Sequence, residues 1–107
     1  MDLRRIELIL LPKEIENLIN LTVFNLHDNK LTELPKEIGN LTNLTELNLS
    51  WNTLTELPKE IGNFINLTKF YIRCIKLTLL PKEIDYKKQE FILYSYTIKK
   101  NKTLFLK

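Results

Sequence analysis

Residues 34–56 read Leu34-Pro35-Lys36-Glu37-Ile38-Gly39-Asn40-Leu41-Thr42-Asn43-Leu44-Thr45-Glu46-Leu47-Asn48-Leu49-Ser50-Trp51-Asn52-Thr53-Leu54-Thr55-Glu56. The opening phrase Leu-Pro-Lys-Glu-Ile returns every 23 residues, at Pro12, Pro35, Pro58 and Pro81. The preceding stretch, 11–33, matches it at 16 of 23 positions and the following one, 57–79, matches at 12 of 23. Self-similarity at a fixed period of this length marks a solenoid, whose units bury their apolar positions only against their neighbours.

Each unit changes period partway along. Leu47-Asn48-Leu49-Ser50 alternates with a period of two, which predicts a short strand with one face toward the core. From Pro58 the apolar positions Ile61, Phe64 and Leu67 recur every third residue. That spacing predicts a turn of helix or 3₁₀ helix, opened by a proline whose fixed φ suits a first turn.

The string Leu-x-x-Leu-x-Leu-x-x-Asn-x-Leu at 44–54, and at 21–31 with Phe24 in its second place, resembles the leucine-rich repeat. The added Leu-Pro-x-x-Ile-Gly resembles the 23-residue bacterial and Ras-adaptor-like subclass. The resemblance covers about residues 1–84, including a truncated first unit in which Leu3, Leu8, Leu11, Ile15 and Leu18 keep the phase. It implies an α/β solenoid with a parallel sheet on the concave face and 3₁₀ or short helical segments on the convex face. It also implies that Asn29 and Asn52 bond to backbone groups between coils. The expected organisation is an array of about three and a half repeats over 1–90 and a β-rich tail or cap over 91–107.

Departures from the pattern carry their own expectation. The asparagine column reads Ile6, Asn29, Asn52, Ile75, and the glycine column Glu16, Gly39, Gly62, Asp85. A buried backbone amide deprived of its partner costs about 1–3 kcal/mol, so both outer coils are expected to be irregular.

With 107 residues, 44% apolar and 27% charged, the composition is that of one folded domain. No apolar run reaches the length of a membrane span, and Met1-Asp2-Leu3-Arg4-Arg5 leads into repeat material without a cleavage site. A lone Cys74 suits a reducing compartment. Cytoplasm is the default location, with a non-standard route of secretion left open. The net charge of +3 sits in the tail: 85–107 carries six lysines against Asp85 and Glu90.

In that tail, Phe91-Ile92-Leu93-Tyr94-Ser95-Tyr96-Thr97-Ile98 and Thr103-Leu104-Phe105-Leu106 flank Lys99-Lys100-Asn101-Lys102 and read as strand, turn, strand. A final parallel strand with an extension over the last coil, a hairpin, and a strand exchanged between chains all fit. The lysines read as a solvated turn, with a nucleic-acid or acidic-lipid patch as the weaker alternative.

Solenoids need polar caps. Met1, Leu3, Ile6, Leu8 and Leu11 are expected to leave an apolar end that associates with a second copy, most simply as a twofold dimer; the tail is an alternative contact. The other reading is a chain whose missing end once covered the patch.

The candidates for chemistry are few. His27 and Cys74 fall on the second and fourth strands, about 10 Å apart at ordinary strand spacing, too far for a nucleophile and its base. The sequence has no Cys-x-x-Cys, no His-x-x-x-His and no glycine-rich phosphate loop. The expectation is a non-enzyme with neither metal nor cofactor.

Binding is the more specific reading, because outward strand positions vary between units. Those columns hold Asn25, Asn48 and Tyr71; His27, Ser50 and Arg73; Asp28 and Trp51; and Glu46 and Lys69. Trp51, Tyr71 and Arg73 have the aromatic and guanidinium composition of interface hot spots. The function expected is binding of an unidentified protein partner through this face. A bacterial effector or surface factor acting on host proteins is the alternative, and nucleic-acid binding by the tail is the weaker one.

Overall fold

In a computed structural model the described residues are 1–73, 77 and 81. They alternate 3₁₀ turns with short strands: η1 (Lys13–Asn17), β1 (Val23–Asn25), η2 (Lys36–Asn40), β2 (Glu46–Asn48), η3 (Lys59–Asn63) and β3 (Lys69–Tyr71). The strands form one open parallel sheet in the order β1-β2-β3. Its register is Val23–Glu46–Lys69, Phe24–Leu47–Phe70 and Asn25–Asn48–Tyr71, so the 23-residue period becomes one strand spacing.

Each 3₁₀ turn starts for the reason the proline supplies. Pro12, Pro35 and Pro58 sit just before the first helical residue with φ between −73° and −66° and ψ near 150°. Their carbonyls accept the amides of Ile15, Ile38 and Ile61 at 3.1 Å. A proline there has no N–H to lose and its ring presets the backbone. Pro81 is half-buried, and the turn that would follow it lies outside the described residues.

The core is built from stacked columns. Phe24, Leu47 and Phe70 form one, Leu26, Leu49 and Ile72 the next, and Leu31, Leu54 and Leu77 a third, all fully buried. Ile38 and Ile61 from the 3₁₀ turns close the opposite side. Gly39 permits that closure: a Cβ on it would lie 2.6 Å from Glu60 Cβ and 2.8 Å from the Glu60 carbonyl. Its φ is not positive, so close approach rather than backbone freedom requires the glycine.

The first coil departs from the others. Its strand is reduced to a single parallel bridge, Asp2 to Asn25, and Glu7 takes a positive φ of 58° that no later unit repeats among the described residues. This is the irregularity expected where Ile6 replaces asparagine; the matching expectation at Ile75 lies outside the described residues. The apolar end differs in membership from the sequence reading. Leu11 is buried in the core and Leu3 and Leu8 pack half-buried against it. The exposed residues are Met1, Ile6, Ile9, Leu10, Leu18 and Ile19. Residues 91–107, and with them the expected strand-turn-strand, lie outside the described residues.

Candidate functional site

Asparagines fasten one coil to the next. The Asn29 side-chain carbonyl accepts the Ile6 and Leu8 amides at 3.2 and 2.9 Å, and its amide donates to the carbonyls of Leu3 and Leu26. Asn52 repeats the arrangement one coil later, accepting from Leu31 at 3.0 Å and donating to Leu26, Leu49 and Ser50. Both side chains are buried and every buried side-chain polar atom described has a partner. A second ladder runs along the strand entrances, where Thr45 and Thr68 hydroxyls donate to the carbonyls of Thr22 and Thr45. Asn43 and Asn66 donate to the Ile19 and Thr42 carbonyls on the 3₁₀ side.

The solvent face of the sheet is thereby held rigidly. Its first row is Val23, Glu46 and Lys69, with the Lys69 ammonium 3.9 Å from the Glu46 carboxylate. Its second row begins with Asp2, Asn25 and Asn48, whose side chains accept the amide two residues on, from Arg4, His27 and Ser50 at 3.0–3.1 Å. These are Asx turns that end each strand. The Arg4 guanidinium also bonds the Asp2 carboxylate at 2.9 Å and holds its carboxyl below the ordinary range.

Tyr71 occupies the same row without an amide acceptor to offer. Ser50 fills the role from the preceding coil: its hydroxyl accepts the Arg73 amide at 2.9 Å. Ser50 is therefore buried, with 4% of its surface exposed, and fastens coils together instead of facing a partner. Sequence alternation predicted an outward residue there; the signal that corrects it is the tyrosine 21 positions later, which removes the local acceptor.

Beyond the strands comes a row in left-handed backbone. Arg5, Asp28 and Trp51 have φ of 55°, 58° and 59°, and their amides donate to the carbonyls of His27, Ser50 and Arg73 in the next coil. Aspartate tolerates this conformation, whereas a bulky tryptophan is strained in it. Trp51 is nonetheless 52% exposed. Asp28 is exposed and pairs with Arg5 at 3.5 Å; His27 is half-buried. No group of three or more metal-binding side chains occurs among the described residues. Cys74, 23 residues after Trp51 in the sequence, lies outside them.

Of the residues expected to meet a partner, the structure brings Asn25, His27, Asp28, Glu46, Asn48, Trp51, Lys69, Tyr71 and Arg73 to one face or its rim. Asn25 and Asn48 are committed to their Asx turns through one oxygen. Tyr71 is half-buried and Arg73 exposed.

A one-layer parallel sheet backed by a 3₁₀ turn per coil and stitched by buried asparagines defines an open α/β solenoid. Residues 19–59 match the family model described as leucine-rich repeats in two copies. A solved leucine-rich-repeat protein from Leptospira interrogans is 46% identical, with a TM-score of 0.76 over 84% of this chain. The chain spans 23% of the length of that protein. None of the curated proteins matches it. The chain is a leucine-rich-repeat protein. Such proteins are generally non-enzymatic binding modules, and their fold commonly mediates contact between proteins. No helix among the described residues is long and apolar enough to cross a membrane.

Proposed function

We propose that this chain is a non-enzymatic module that binds a protein partner across its open sheet face, with Trp51, Tyr71 and Arg73 at the centre of contact. The observation that carries the proposal is Trp51: a large aromatic side chain held in strained left-handed backbone and half exposed. Strain of this kind persists where the surroundings enforce it, and an exposed tryptophan contributes nothing to the core in return. A photo-crosslinking side chain placed at Glu46, on the sheet face, tests the reading against one at Ile65, which is exposed outside the strands. Capture of one protein from Glu46 and not from Ile65, abolished by Trp51→Ala, is the expected result. Capture indifferent to Trp51 rejects it.

Self-association through the apolar end belongs to the same proposal. Met1, Ile6, Ile9, Leu10, Leu18 and Ile19 are all exposed there, and a depression of about 390 Å³ lies between Met1 and Leu18, Ile19 and Leu21. A second copy of the chain would bury this surface symmetrically.

A further inference from the structure

Among the described residues, the cations of the sheet face and its rim each lie close to a carboxylate, with one exception. Arg4 lies 2.9 Å from Asp2, Arg5 3.5 Å from Asp28, Lys30 3.7 Å from Glu7 and Lys69 3.9 Å from Glu46. Arg73 is exposed and has no carboxylate partner among the described residues. Its backbone is nevertheless held on both sides by the preceding coil. The N–H donates to the Ser50 hydroxyl at 2.9 Å and the carbonyl accepts the Trp51 amide at 2.9 Å, so coil three grips both ends of its peptide. Tyr71 precedes it by two residues on the same side of the strand, and the half-exposed Trp51 stands in the adjoining coil.

Resting on the reading of this face as a partner surface, we infer that Arg73 is the anchor for a carboxylate carried by an acidic segment of the protein partner, with Trp51 and Tyr71 receiving the apolar residue beside that carboxylate. A guanidinium offers a planar fork of donors that fits a carboxylate with two parallel hydrogen bonds. Fixing its backbone before binding reduces the ordering cost of that contact. The aromatic neighbours exclude water from it, and the cations around it already face carboxylates, which gives the surface one anion-binding position rather than a diffuse basic patch.

Panning a random peptide library displayed on phage against the full chain tests the assignment. The expected binders share an Asp or Glu next to an apolar residue, lose at least about tenfold in affinity on Arg73→Ala, and bind more weakly as salt is raised. Panning against Arg73→Glu should reverse the selected charge to Lys or Arg. Both substitutions leave the two backbone bonds in place, and an unchanged melting curve confirms that the fold is kept. Binders that depend on Trp51 but show no acidic preference overturn the role of Arg73 and leave the binding face intact. A library yielding only binders indifferent to Trp51→Ala overturns the face and the anchor together.

Discussion

The amide of Arg73 donates to the hydroxyl of Ser50, 23 residues earlier, at 2.9 Å. In the three preceding coils the equivalent amide is satisfied locally, by Asp2, Asn25 and Asn48 two positions before it. Tyr71 therefore presents a ring on the sheet face only because Ser50 has turned inward to replace the missing acceptor.

That exchange makes a double-mutant prediction. Ser50→Ala leaves the Arg73 amide without its acceptor and is expected to cost about 1–2 kcal/mol in chemical denaturation. Tyr71→Asn restores the local Asx turn, so the double variant should recover most of the loss. Additive losses in the two variants would show that the Ser50 hydroxyl does not substitute for the asparagine column.

Asn52 and Asn48 separate the buried ladder from the surface one. Asn52→Ala strands the Leu31 amide and the Leu49 carbonyl inside the coil stack and removes one of the two donors to the Leu26 carbonyl, which keeps Asn29. The expected loss is about 3 kcal/mol or more, whereas Asn48→Ala, which frees one partly buried amide, should lose about 1 kcal/mol. Equal losses would mean that water satisfies the interior groups when the side chain is removed.

Gly39 sets the spacing of the 3₁₀ turns. Gly39→Ala places a methyl group 2.8 Å from the Glu60 carbonyl, a backbone atom that cannot swing aside, and η2 and η3 must separate. A loss of about 1–3 kcal/mol is expected, outweighing the gain in chain stiffness that alanine ordinarily brings. Unchanged stability would show that the coils have slack at this contact.

The fold was legible because the 23-residue period, the proline and the asparagine each have a single mechanical use, and η1–η3 and β1–β3 fall where those residues place them. Two features were not legible, for different reasons. Ser50 was hidden by an alternation rule that treats each strand alone, while its burial is dictated by Tyr71 in the next coil. The left-handed row was hidden because Arg5, Asp28 and Trp51 share no residue type; only the backbone bond to the following coil unites them. The apolar end was legible as a patch, but Leu11 within it belongs to the core.

Trp51 trades stability for surface. Holding a bulky residue in left-handed backbone costs on the order of 1–2 kcal/mol, and asparagine adopts that conformation readily. Trp51→Asn should therefore melt at the same temperature or a few degrees higher, despite the loss of a large side chain, while losing partner binding. A clear fall in melting temperature would assign Trp51 to packing and remove it from the binding face.

The last prediction concerns the apolar end. Ile9 and Ile19 are 59% and 60% exposed, and apolar side chains grouped at one end of a solenoid mark an association surface. Light scattering of the purified chain over a concentration series is expected to show a mass approaching twice 12.8 kDa as concentration rises. Ile9→Glu combined with Ile19→Glu should hold the chain monomeric, because pairing two copies would bury four carboxylates of like charge without partners. Ile65→Glu, at 76% exposure outside the strands, is the matched control and should leave the mass unchanged. A parent chain that stays monomeric throughout would reject self-association by this surface, and a dimer indifferent to the Ile9 and Ile19 changes would move the contact elsewhere on the molecule.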